Sequence, residues 1–117
     1  MKSDFKFTSE KIEQLGKPPA TVFHLHGWLD VQSEKLLLSA VEEARATGTS
    51  TIILNLEELT MLTSMGIRAI QKAQKMFESD SAIKLCNAPP NVYHVLKLSG
   101  FLQFMPVYES LEAALSS

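Results

Sequence analysis

The stretch TIILNL at 51–56 limits the fold more than any other part of the chain. A strand that shows one face to water alternates polar and apolar residues. A near-continuous apolar run marks a strand covered on both faces, as in a parallel sheet. Such a strand needs helices packed above and below it, and the flanking sequence supplies them in alternation. Upstream, FKFTSEKIEQL (5–15) carries a weak strand signal that Gly16-Lys17-Pro18-Pro19 ends, and TVFHLHG (21–27) alternates and pairs with it as a hairpin. In WLDVQSEKLLLSAVEEARATG, residues Val31, Leu37, Leu38, Val41 and Ala44 recur at near-helical spacing, with Asp30 or Ser33 as the cap and Gly48 at C′.

Downstream of the apolar run, Ile67, Ile70, Ala73 and Phe77 step by three and four and predict the buried side of a second helix. Arg68, Gln71, Lys72 and Lys75 fall on its outer side. AIKLCN (82–87) reads as a strand stopped by Pro89-Pro90. Asn91 is the expected cap of the helix VYHVLKLSG, which Gly100 closes. A short strand around FMPVY and a terminal helix, SLEAALSS, capped by Ser110, complete the chain. Strands that alternate with helices imply crossovers and a partly parallel sheet, to which the two N-terminal strands add an antiparallel edge. The fold class is therefore α/β, a mixed sheet packed with about four helices.

The 117 residues fit one domain, 1–117, whose 45% hydrophobic and 21% charged residues suit a core needing neither metal nor disulfide. A net charge of −2 argues against nucleic acid as a partner. The single cysteine, Cys86, has no internal disulfide partner, which fits a reducing cytoplasm. MKSDFKFTSEK has no signal-peptide core, and no apolar stretch approaches the roughly 18 residues of a membrane span. A soluble cytoplasmic protein is expected, with attachment through a membrane partner left open.

The candidate site lies in MLTSMGIRAI (61–70). Ser64 stands where an apolar run ends and a helix begins, so its hydroxyl is either the helix cap or a group open to modification. A phosphate there would meet free N–H groups and the positive end of the helix dipole, and Gly66 would let the backbone come close. Asp30 either caps the helix that follows it or sits at the same sheet end as Ser64, where loops leaving the carboxyl ends of strands converge. His24 and His26 share a strand face, but a zinc site needs a third ligand and none has matching spacing, so no metal is expected. Glu57 and Glu58 are adjacent and read as a solvated loop rather than an acid–base pair. No triad spacing and no glycine-rich phosphate loop is present, so neither catalysis nor a cofactor is expected.

Taken in order, GWLD, TIILNLEELTMLTSMGIRAI, IKLCNAPPNVYHVLKLSGF and SLEAAL resemble the STAS family, and within it the single-domain anti-sigma factor antagonists of bacteria. The resemblance runs from about residue 8 to 115. Its strongest part is the strand–loop–helix, where the family reads leucine-aspartate-leucine and, after a short spacer, aspartate-serine-serine-glycine. Gly27-Trp28-Leu29-Asp30 and Leu98-Ser99-Gly100-Phe101 match two further family signatures. The resemblance implies a binding protein whose serine is phosphorylated by an anti-sigma factor that is also a serine kinase, phosphorylation breaking the complex. By motif position the acceptor is Ser64, with Gly66 as the motif glycine and Asp30 as the family's loop aspartate. Three positions depart from the pattern: Thr63 replaces aspartate, Met65 the second serine and Asn55 the strand aspartate. Thr63 becomes a second, weaker acceptor candidate, and Met65 a flexible apolar contact suited to an interface.

The resemblance implies a partner surface made of Asp30, Thr63, Ser64, Met65, Gly66, Arg68, Ala69 and Lys72. Trp28 and Met65, expected to be exposed, would allow a weak homodimer. The alternative is a scaffold subunit of a stress-signalling complex, or of a transporter or lipid-transport system, that uses the same surface without phosphate turnover. A small enzyme built on Asp30 and Ser64 is the third reading, and it lacks a general base.

Overall fold

A computed structural model describes residues 5–79 and 81–117; of the single-domain reading of 1–117, residues 1–4 and Asp80 lie outside the described residues. Five strands form one sheet in the order β1-β2-β3-β4-β5. They are β1 (Lys6–Gln14), β2 (Lys17–Leu29), β3 (Thr51–Leu62), β4 (Ile83–Cys86) and β5 (Val107–Tyr108). β1 pairs with β2 antiparallel, and every later neighbour is parallel. The helices are α1 (Glu34–Ala46), α2 (Ser64–Gln74), α3 (Pro90–Leu98) and α4 (Leu111–Ser116), with a 3-10 turn at Phe101–Gln103.

β3 divides the core in the way its apolar run requires. Ile52, Leu54 and Leu56 join Leu37 and Val41 of α1, Ile67 and Ile70 of α2, and Val92 and Leu96 of α3 in the larger cluster. Ile53 belongs to a second cluster with Val22, Cys86 and Ala114 of α4. One sheet face thus carries three helices and the other carries α4.

Several boundaries differ from the sequence reading, each for a local reason. β3 runs on to Leu62, well past the 51–56 run. From His24↔Asn55 to His26↔Glu58, β2 advances two residues while β3 advances three, and from Gly27↔Leu59 to Trp28↔Met61 β2 advances one while β3 advances two. These bulges destroy the alternation that would have marked a strand. Glu57 and Glu58 therefore lie side by side in β3 rather than in a loop, both exposed, as Thr60 and Met61 also are. The Gly-Lys-Pro-Pro segment does end the first strand, Gly16 turning the hairpin (φ 76), but β2 begins at Lys17 rather than at residue 21, so Pro18 and Pro19 belong to it. Their missing N–H groups cost nothing there, because pairing with β3 begins at Ala20↔Thr51. Val31 precedes α1 and is 59% exposed, so it does not share the helix's buried stripe. Phe77 lies beyond the end of α2, and the FMPVY strand shrinks to Val107–Tyr108. Ser110 caps α4 as expected, accepting from Ala113 N at 3.0 Å, and Gly48 follows α1 with φ 101. Asn91 does not cap α3. Pro89 holds that position, and Asn91 Nδ2 donates to the Thr60 carbonyl at 2.9 Å, tying α3 to β3 beside the candidate site.

Candidate functional site

β2 and β3 both end at one edge of the sheet, with Leu29 paired to Leu62. The residue after Leu62 sets the start of α2. Thr63 is extended (φ −106, ψ 170), and its hydroxyl accepts from Gly66 N at 3.2 Å. The same hydroxyl donates to the Leu29 carbonyl at 3.4 Å, which also accepts from Thr63 N at 3.2 Å. Thr63, not Ser64, is therefore the helix cap. Ser64 is the first residue of the helix. It is exposed, and its hydroxyl makes no hydrogen bond among the described residues. Of the first helical N–H groups, that of Gly66 is taken by the Thr63 hydroxyl and that of Ile67 by the Thr63 carbonyl, leaving those of Ser64 and Met65 without an intrahelical acceptor.

Gly66 is required for packing. A Cβ at this position would overlap the Leu29 carbonyl oxygen and lie 2.8 Å from its carbon and 2.9 Å from Leu62 Cδ1, closer than real Cβ atoms come. Only glycine lets α2 start against the end of β2.

The expected partner residues separate by exposure. Ser64, Arg68 and Lys72 are exposed, while Asp30, Thr63 and Met65 are half-buried. Ala69 is fully buried in the larger core and cannot meet a partner, and Gly66 is buried as well. Lys72 Nζ pairs with Glu34 Oε1 at 2.7 Å, fastening α2 to α1. Trp28, expected exposed, is half-buried like Met65, so neither supplies the open apolar surface anticipated for self-association. Met61, 39% exposed, is a solvent-facing apolar residue within the 61–70 stretch, and Val31, 59% exposed, is one beside Asp30 that sequence reading missed. The helical spacing assigned to Val31 hid it.

Asp30 does come to the same sheet end as Ser64, since Leu29, its chain neighbour, holds Thr63. Its carboxylate is nonetheless engaged locally. Oδ1 accepts from Gln32 N at 3.0 Å and Ser33 N at 3.2 Å, while Ser33 Oγ accepts from Asp30 N at 2.8 Å and donates to the Trp28 carbonyl at 3.0 Å. Asp30 thus closes the turn before α1. Ser33, at the helix's N-cap, makes no side-chain cap bond.

On the sheet face that α4 leaves open, Asn55 organises a polar row. Its Oδ1 accepts from Glu57 N at 3.1 Å and Asn87 Nδ2 at 3.2 Å. Its Nδ2 therefore donates to His24 Nδ1 at 2.9 Å, which puts the proton of a neutral His24 on Nε2, facing Glu10 Oε1 at 3.3 Å. A carboxylate at position 55 could not donate to His24. The described residues contain no group of three or more His, Cys, Asp or Glu that could hold a metal. Cys86 lies buried beneath this row, and burial, with Glu57 and Glu112 adding to it, pushes its thiol up to about 11, far from a reactive thiolate. Among the described residues no helix is long and apolar enough to cross a membrane.

Comparison with known proteins agrees with this geometry. The chain is 27% identical over 110 residues to a Bordetella bronchiseptica protein assigned as the anti-sigma factor antagonist BtrV, covering 93% of this chain and 90% of that one. An anti-sigma factor antagonist from Mycobacterium paratuberculosis superposes with a TM-score of 0.77 at 18% identity, over 95% of this chain and 92% of that one. SpoIIAA, an anti-sigma factor antagonist, superposes in its unphosphorylated form with a TM-score of 0.71 at 24% identity, over 96% and 93% of the two chains. Bacillus SpoIIAA in the phosphorylated form gives 0.62 at 23% identity over 96% of each chain. The STAS domain family model matches residues 11–114, so the chain belongs to the STAS domain family.

Proposed function

We propose that this protein is an anti-sigma factor antagonist, that its partner is an anti-sigma factor with serine kinase activity, and that phosphate on Ser64 ends their association. The observation that carries this reading is the division of labour at the start of α2. Thr63 caps the helix, so the exposed Ser64 hydroxyl is free for transfer. The Thr63 hydroxyl, engaged by Gly66 and Leu29, is the poorer acceptor. Relatives assigned as antagonists and a structural neighbour solved with and without phosphate support it. The contact surface comprises Asp30, Val31, Met61, Ser64, Met65, Arg68 and Lys72, without the buried Ala69.

In the transfer, the γ-phosphoryl of ATP passes to Ser64 Oγ, the hydroxyl proton leaves to a base on the kinase, and ADP is released. The new group brings close to two negative charges into the interface, and desolvating them weakens the complex. The protein itself acts by binding, not by turnover, in the cytoplasm where sigma factors work.

The test mixes the protein with its cognate anti-sigma factor and ATP, maps the modified residue and measures binding. Phosphate on Ser64 and a complex lost in Ser64→Glu are expected. Absence of phosphate from both Ser64 and Thr63, with binding indifferent to Ser64→Glu, would sink the switch. That outcome favours the second reading, a STAS scaffold that binds without phosphate turnover, which the lack of a carboxylate at position 63 supports.

A further inference from the structure

α2 carries Arg68 and Lys72 and no acidic residue, and the two cations are held differently. Lys72 is paired with Glu34, whereas exposed Arg68 has no ion pair or side-chain hydrogen bond among the described residues. Ser64 and Arg68 stand four residues apart on the solvent side, while Gly66, Ile67, Ala69 and Ile70 face inward. Side chains at this spacing on a helix are neighbours, with Cβ atoms about 5–6 Å apart, well within the reach of a guanidinium. We infer that Arg68 is the internal receiver of the Ser64 phosphate, closing an ion pair along the first turn of α2 once the serine is modified.

The chemistry suits the pair. A guanidinium presents parallel N–H donors that match two phosphate oxygens, and Arg68 breaks no existing ion pair to turn toward them. Lys72 lies a further turn away and is already occupied. The inference rests on Ser64 being the phosphorylated residue, and it adds a second consequence to that reading. The free form offers a partner an uncharged hydroxyl and an unpaired cation. The modified form adds an anion and also withdraws Arg68 from any carboxylate the partner presents to it. The switch then removes a cationic contact at the same moment as it introduces negative charge.

The experiment needs neither kinase nor partner. Phosphoserine is incorporated at position 64 during synthesis, in the otherwise native chain and in Arg68→Ala and Arg68→Lys, and the second phosphate ionisation is followed by ³¹P NMR at low salt. A nearby cation favours the dianion, so its removal raises the midpoint. Arg68→Ala is expected to titrate about 0.15–0.4 pH units higher than the native chain, with Arg68→Lys between them. The difference should shrink at 1 M salt, where the screening length is about 3 Å. Equal midpoints in all three proteins overturn the inference. The outcome is separable from the switch itself: equal midpoints with efficient kinase transfer to Ser64 remove only the Arg68 pair, and a shifted midpoint with no kinase transfer removes only the switch.

Discussion

Ser33 and Ser64 both stand at the start of a helix that follows a long strand of the same sheet, Ser33 at the N-cap and Ser64 at the first helical position, yet their hydroxyls have opposite fates. Ser33 is 3% exposed, and its oxygen accepts from Asp30 N and donates back to the end of β2. Ser64 is exposed, with its hydroxyl unengaged among the described residues. The neighbours decide the difference. Asp30, three residues before Ser33, folds the chain into a turn that consumes both side chains. Thr63, one residue before Ser64, takes over the capping and pushes the serine outward onto the helix. A serine at a helix start is thus structural or available according to which residue closes the preceding turn.

The sharpest way to break this comparison is at the point both helix starts share. The Leu29 carbonyl anchors Thr63, and Leu29 is followed directly by the Asp30 turn. Gly66→Ala drives a methyl group into that carbonyl, and the overlapped atom is backbone that cannot swing aside. A loss of about 3 kcal/mol in urea unfolding is expected, at the upper end for overpacking. Gly100→Ala provides the contrast: its φ is 79 but its Cβ meets open space, so only the backbone penalty of about 1–2 kcal/mol applies. Equal losses for the two variants would show that α2 can shift away from β2.

Ser33→Ala comes next, because it deletes the acceptor of Asp30 N inside a half-buried turn. Leaving such a group unpaired costs about 1–3 kcal/mol, read as a lower urea midpoint at unchanged slope. Partner binding should fall only in proportion to the unfolded fraction.

The sequence made the architecture legible wherever the apolar period was regular. The TIILNL run announced a doubly covered strand, and the Ile67, Ile70, Ala73 spacing gave the inner face of α2. It failed where side chains outside the local period set the geometry. The two bulges opposite β2 turn 57–62 into a pattern of two out and one in, which matches neither a strand nor a helix. At the site, position and family motif singled out Ser64 and Asp30, but the capping role went to Thr63. Whether a threonine or the next serine caps depends on where β3 stops, and that is fixed by its pairing with Leu29, remote in sequence. Ala69 follows exposed Arg68 in sequence, but the helix turns it into the core.

Thr63→Ala sharpens the comparison with a smaller effect. It removes the cap of α2 and should cost about 1 kcal/mol of stability. Thr63→Asp should retain most of that stability, since a carboxylate also caps and favours the positive end of the helix. If Ser64 takes over capping in Thr63→Ala, its hydroxyl becomes engaged and phosphate transfer slows relative to Thr63→Asp. Equal transfer rates in the two variants would show that availability of the serine does not depend on Thr63.

The smallest effect on stability and the largest on regulation are expected to coincide in Ser64→Ala. An exposed hydroxyl that makes no hydrogen bond contributes nothing to remove, so the urea midpoint should correspond to a change within about 0.5 kcal/mol of zero. The variant should bind the anti-sigma partner as the native chain does, and the complex should survive added ATP. Ser64→Ala losing as much stability as Ser33→Ala would mean that the hydroxyl does cap α2, and the distinction between the two serines would fall. A stable variant whose complex still dissolves with ATP would instead move the modification elsewhere, with Thr63 the first position to examine. The comparison therefore stands on two readings of one substitution, a stability that does not move and a response to ATP that disappears.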